Sequence, residues 1–431
     1  MAKIKTIKAR EIIASGGAPS VEVTATLESG VIGEASVSYG ASAGSYEATV
    51  LLDGDEKRYN SRGMLGAVMN INSIIGPEIA GIEASGQRTI DEKMINLDGT
   101  EYKTKLGGNS ILGVSMAVAK AEAEEEKLPL YKYLQKVYKL DPTNTLPKPM
   151  VVMIEGGKHA DNSTDIQEYL VSSLGVKSAA EHIRAQLEIY EALKKILKNE
   201  GLSTNVGNEG AFAPGGILSN EKPIEYLVEA IKNAGYVPGI DAGISIDAAA
   251  SEFAKANSEL QITSTGFRKT QNYELRIENK TLTSAELIEY YLSWLPKYPI
   301  VSFEDMLDEN DWENWTVLTS KMGNMPNIAD DLTATNFRRW QKAIEMKAAT
   351  AILIKLNQAG TVSETIDCCQ LSQENSMWTV VSHRGGGETN DTFMVDLAVA
   401  VGSEYIKCGP TRGERVAKYN RLMRIEEDIR L

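Results

Sequence analysis

Cysteine is scarce in this chain: Cys368, Cys369 and Cys408 are the only three in 431 residues. Their odd number shows neither the spacing of a disulfide framework nor a CxxC metal pair, which argues against a disulfide-stapled scaffold and a cysteine-based zinc site. Long apolar runs are missing as well. None approaches the ~20 residues that a bilayer-crossing helix needs, and no signal peptide is visible, so the expectation is a soluble protein of a reducing compartment, the cytoplasm. Positive charge is in deficit, with 45 Lys and Arg against 59 Asp and Glu and a net charge of −14. No basic stripe overrides that balance, so neither nucleic acid nor a membrane is an expected partner. Histidine occurs three times. His182 falls in a helical stretch and reads as structural, which leaves His159 and His383, each in a polar loop after an apolar run.

The length calls for more than one core, because single cores stop growing at ~250–300 residues. The stretch VEVTATLESGVIGEASVS (21–38) holds two alternating β-branched runs broken at Ser29-Gly30, the signature of a hairpin. From Ser61 to about Val137 apolar residues recur at helical spacing. Pro142, Pro147 and Pro149 then mark a change of regime. Beyond them AGISID, YPIVSFED, PNIADD, TAILIKLNQ, WTVVSHR and EYIKCG alternate with amphipathic helical stretches, which predicts parallel β/α units. The expected fold is α/β: a C-terminal β/α (TIM-type) barrel over 139–431, with a smaller N-terminal α+β domain over 1–138. ELQITSTGFRKTQNYELRIENKTLT reads as a hairpin inserted between two barrel strands.

Each apolar run closes on a polar residue: Asp247, Glu304, Asp330, Lys355, His383 and Lys407. From Glu304 onward these fall roughly 25 residues apart, one β/α unit each, and parallel strands bring their C-terminal ends to a single face, where barrels place their chemistry. Asp247, Glu304 and Asp330 would repel one another without a cation between them, and an oxygen-only set favours Mg²⁺ over zinc. The alternative for any one of these acids is a helix cap or a salt bridge. Lys355, inside an apolar run, is either a base or a buried ion-pair partner, and Lys407 poses the same choice. His383-Arg384 before Gly385, Gly386 and Gly387 fits a phosphate loop or an ordinary turn. Glu168 and Glu209 are further candidate acids.

The segments IQEYL, VGNEGAFAP, IDAAASEF, SFEDMLDENDW, ADDLTATN, ILIKLNQAGT, SHRGGGET and RVAKYNRLMRIEE resemble the enolase family. REIIASGGAPSVEV, SYGASAGSYEA and LDGTEYKTKLGGNSILGVSMA extend that resemblance over nearly the whole chain. It implies the reversible, Mg²⁺-dependent dehydration of 2-phosphoglycerate to phosphoenolpyruvate, with two Mg²⁺ per active site. Lys355 would take the C2 proton and Glu209 would assist departure of the C3 hydroxyl. Asp247, Glu304 and Asp330 would hold the first ion, and Ser42 would join the second. His159, Glu168, Glu304, Asp330, His383, Arg384 and Lys407 would line the substrate, a small phosphorylated hydroxy acid, with Arg384 on the phosphate. A homodimer or higher homo-oligomer is expected. The chain departs from the family pattern at Gly16, Glu155, Asn208 and Gly385, the last of these replacing a serine hydroxyl. An enolase-like paralogue acting on a different hydroxy acid, or a catalytically impaired binding protein, is therefore the alternative.

Overall fold

The computed structural model describes residues 2–40, 44–141, 145–175, 178–263 and 266–430. Its first sheet consists of β1 (Ile4–Ile13), β2 (Pro19–Leu27) and β3 (Ile32–Ser36), antiparallel in that order. Val21, Val23, Ala25 and Leu27 of β2 are buried while the residues between them are partly exposed. This is the period-two pattern of a sheet packed on one face. The hairpin expected around Ser29-Gly30 joins β2 to β3. β1 is an addition to the strands expected from the sequence. The helix Gly108–Glu125 covers the sheet, and most of its residues are buried. The approach is close: a Cβ on Gly33 would collide with the Ala117 carbonyl. A two-residue strand, β4 (Tyr39–Gly40), follows β3.

The barrel strands are β5 (Lys148–Glu155), β6 (Glu168–Ser173), β7 (Ala242–Asp247), β11 (Ile300–Glu304), β12 (Asn327–Ala329), β13 (Ala351–Ile354), β14 (Trp378–Ser382) and β16 (Tyr405–Cys408). They close in the order β11-β12-β13-β14-β16-β5-β6-β7. The expected insertion forms a side sheet of β8 (Ala254–Thr263), β9 (Gly266–Leu275) and β10 (Lys280–Thr283). β15 (Gly386–Gly387) pairs with β4 and so ties the N-terminal region to a barrel loop.

An all-parallel barrel needs correction in one place, because β6 runs antiparallel to both neighbours. The physical reason is the connection. No α-helix lies between β5 and β6, whereas a parallel return needs a crossover, usually helical. The lumen is filled by Met150, Val152, Leu170, Ala211, Ile328, Ala351, Leu353, Val380 and Tyr405, a cluster separate from the main core. His182 is buried in the helix Ala179–Asn199, as expected of a structural residue. Among the described residues no helix is long and apolar enough to cross a membrane.

Candidate active site

Strand register assembles the site. Glu155 pairs with Glu168 across β5 and β6, Glu168 with Asp247 across β6 and β7, and Asp247 with Glu304 across β7 and β11. Four acids thus share one row of the barrel wall. Glu168 joins the row because β6 is reversed, so its first residue lies where its neighbours have their last. Asp330, Lys355 and His383 each stand one position beyond β12, β13 and β14, and Lys407 lies within β16.

On one side of the mouth, lysines compensate carboxylates. Lys407 Nζ lies 2.8 Å from Glu168 Oε2, 2.9 Å from Asp247 Oδ2 and 2.6 Å from Glu304 Oε1. Burial works against this ammonium, yet Asp247, Glu168 and Glu304 hold its pKa well above the ordinary value. Burial, then the charge of Asp247, pushes Glu304 well above the usual carboxylate range. Burial and Glu209 push Glu168 up to about 8. Lys355 Nζ is ion-paired with Asp330 Oδ2, whose Oδ1 accepts from Gln358 Nε2 at 2.9 Å. Although burial opposes both charges, this pair raises Lys355 and lowers Asp330.

On the other side, imidazoles surround a glutamate. Glu209 Oε1 lies 3.7 Å from His159 Nδ1, and Oε2 lies 3.4 Å from His383 Nε2. His159 Nδ1 is also 3.5 Å from Glu168 Oε1. Arg415 Nε donates to His383 Nδ1 at 3.3 Å, which leaves the proton of a neutral ring on Nε2, facing Glu209. Burial drives Glu209 upward, but His383 and then His159 and Arg415 outweigh it and hold this carboxyl well below the usual range. Burial lowers His159. A Cβ on Gly385 would stand 2.6 Å from Glu209 Oε1, so the glycine lets the loop close on the acid.

Arg384 and Glu47 are both buried, with Nη2 and Oε2 3.2 Å apart. Glu47 comes from the N-terminal region, and Gln358 Nε2 also donates to it at 3.2 Å. His159, Glu168, Glu209, Asp247, Asp330, Lys355, His383, Arg384 and Lys407 line one cavity of about 40 Å³. Glu304 sits against Lys407. Ser42 lies outside the described residues. Glu47, Asp305, Asp331, Gln358 and Arg415 are not legible in the sequence as site residues. Asp305 and Asp331 have a local signal, as the residues following Glu304 and Asp330; the Asp305 carboxylate accepts the backbone N–H groups of Asp330 and Asp331 at 3.0 and 2.8 Å.

The donors fit a hard divalent cation. Asp247, Glu304 and Asp330 offer oxygen alone, and the buried Glu304 Oε2 has no hydrogen-bond partner among the described residues, an atom that a cation would satisfy. Among the described residues, ligand atoms also converge within 4.8 Å in two sets, Asp305-Asp330-Asp331 and His159-Glu168-Glu209. The second set mixes imidazole with carboxylate, a composition suited to proton transfer. In comparison with known families, residues 4–134 match the family profile described as enolase, N-terminal domain, and residues 143–430 match that of enolase, C-terminal TIM barrel domain.

Proposed function

The chain belongs to the enolase family, and from that premise we propose that it dehydrates 2-phosphoglycerate reversibly to phosphoenolpyruvate in a Mg²⁺-dependent reaction of glycolysis and gluconeogenesis. The observation that carries this reading is one cavity lined by Lys355, Glu209 and carboxylates from successive barrel strands. Asp247, Glu304 and Asp330 would hold one Mg²⁺, and Ser42 would contribute to a second. Such ions would supply positive charge to offset the negative charge that develops when the C2 proton leaves.

The protein's own groups divide the remaining work. Lys355 removes the C2 proton, for which its amine must be neutral; burial and the charges of Arg384 and Lys407 favour that form, and the ion pair with Asp330 opposes it. Glu209, held ionised by its neighbours, relays to the departing C3 hydroxyl a proton that it takes up from the histidine side, where His159 and His383 flank its two oxygens. Arg384 exchanges Glu47 for the phosphate, a fork geometry suited to that group. Lys407 and Glu168 line the same cavity and would contact the substrate there. We place the protein in the cytoplasm and expect a homodimer or a higher homo-oligomer, which light scattering would count.

The test is the ultraviolet absorbance of the enol phosphate formed from 2-phosphoglycerate and Mg²⁺. Turnover that EDTA abolishes is expected; none at high enzyme concentration would defeat the proposal. A second reading, a different hydroxy acid, is favoured by a neighbouring cavity of about 570 Å³ whose lining includes Gly16, Asn208, Gly386 and Gly387. A panel of phosphorylated and unphosphorylated hydroxy acids separates the two readings, and a clear preference for 2-phosphoglycerate removes the second.

A further inference from the structure

One fully buried carboxyl group beside this site has no part in the proposed chemistry. Glu155 ends β5, and its Oε1 accepts two backbone donors, the N–H of Glu209 at 3.1 Å and that of Ala211 at 3.0 Å. The turn they belong to is closed by Gly207 N–H on the Ala211 carbonyl at 2.9 Å. Phe212 N–H on Met153 and Glu155 N–H on Phe212, at 3.0 and 2.8 Å, bind the turn to β5. Gly207 closes directly over the carboxyl: a Cβ there would collide with Oε2 and stand 2.7 Å from the carboxyl carbon.

Oε2 itself has no hydrogen-bond partner among the described residues. An unpaired polar atom in a dry site is costly, and an apolar side chain would fill the same space without that cost. What an apolar side chain could not do is accept the two amides that flank the Glu209 and Ala211 positions. Burial and the Glu209 charge push Glu155 up to about 8, so near neutrality it is largely protonated and adds little negative charge beside Glu209. Lys355 is held from another quarter, by Asp330 and by the Thr335 hydroxyl, which accepts its N–H at 3.0 Å.

We infer that Glu155 is a positioning residue for Glu209: by fixing the turn it sets the carboxyl between His159 and His383, and it governs cleavage of the C3–O bond without governing removal of the C2 proton. The inference rests on the proposed dehydration, in which the C2–H bond breaks with its proton passing to Lys355 and the C3–O bond breaks with the hydroxyl leaving as water.

The two bond cleavages are measured apart. Phosphoenolpyruvate formation reports both, whereas exchange of the C2 hydrogen of 2-phosphoglycerate in D₂O with Mg²⁺ reports the first alone. Glu155→Gln, which keeps an oxygen acceptor, is expected to hold kcat within about threefold of wild type. Glu155→Ala is expected to lower kcat on the order of 100-fold, the scale of a misplaced catalytic group, with KM nearly unchanged and C2 exchange retained. Glu155→Asp, which withdraws the acceptor by one methylene while filling most of the site, gives the same split if the alanine variant fails to fold. Exchange falling in step with dehydration, the glutamine variant losing as much kcat as the others, or the aspartate variant keeping full kcat would each overturn the inference. Wild-type protein showing neither exchange nor dehydration would instead defeat the proposed function.

Discussion

Glu304 and Glu209 are buried at the mouth of the same barrel, and their pKa values move in opposite directions. Glu304 lies in a row of acids with Lys407 as its cation, and burial together with Asp247 drives it upward. Glu209 suffers the same burial, yet two imidazoles and Arg415 hold it down. Identical side chains thus acquire different protonation from their neighbours alone. The two halves of the mouth are therefore built for different chemistry, the lysine side to hold charge and the histidine side to move a proton to a leaving group.

The strongest way to break this comparison is to remove the base. Lys355→Ala should lower phosphoenolpyruvate formation by about 10⁴-fold, the upper range for a positioned general base; a steady-state assay retaining a tenth of wild-type kcat would contradict the lysine side's role. Glu209→Gln removes the carboxyl that relays the proton on the other side and should lower kcat by about 10³-fold with little change in KM, within the range for general acid catalysis.

Lys407→Met sharpens the comparison by stability. It leaves Glu168, Asp247 and Glu304 without their cation, and stranding buried charge costs about 3 kcal/mol or more. Thermal unfolding should show a lower Tm without metal and a larger upward shift on adding Mg²⁺ than in wild type; equal shifts would count against these acids as ligands. The smallest effect lies away from the mouth. Burial, with Lys148 next, lowers His182 from its ordinary 6.5 to about 4, so this residue is neutral in the fold while the unfolded chain binds its proton from 6.5 downward. Its stability contribution is present above pH 6.5 and is lost as pH falls toward 4. His182→Leu should flatten that part of the unfolding profile without altering its alkaline side.

The parts of this arrangement legible in the sequence are those with a period. Asp247, Glu304, Asp330, Lys355, His383 and Lys407 recur at strand ends because a β/α unit has a fixed length, and they converge because parallel strands share a face. Glu168 breaks that pattern: it opens a reversed strand, so the sequence offers it as a candidate acid and within a segment of family resemblance, but not at a strand end. Glu47 and Arg415 carry no local signal, since each works through a contact formed in the fold. Glu47 meets Arg384 across a separation of 337 residues, and Arg415 reaches His383 from the C-terminal helix. Gly385 registers in the sequence as the loss of a hydroxyl, whereas in the fold it is also what makes room for Glu209. That distinction depends on a backbone approach that no spacing in the sequence records.

Separate roles for the two sides meet their most direct test in D₂O, where NMR follows the C2 hydrogen of 2-phosphoglycerate in the presence of Mg²⁺. Wild type and Glu209→Gln should both exchange that hydrogen, although only wild type forms phosphoenolpyruvate at a normal rate, and Lys355→Ala should do neither. Exchange persisting at the wild-type rate in Lys355→Ala would show that proton removal does not belong to the lysine side.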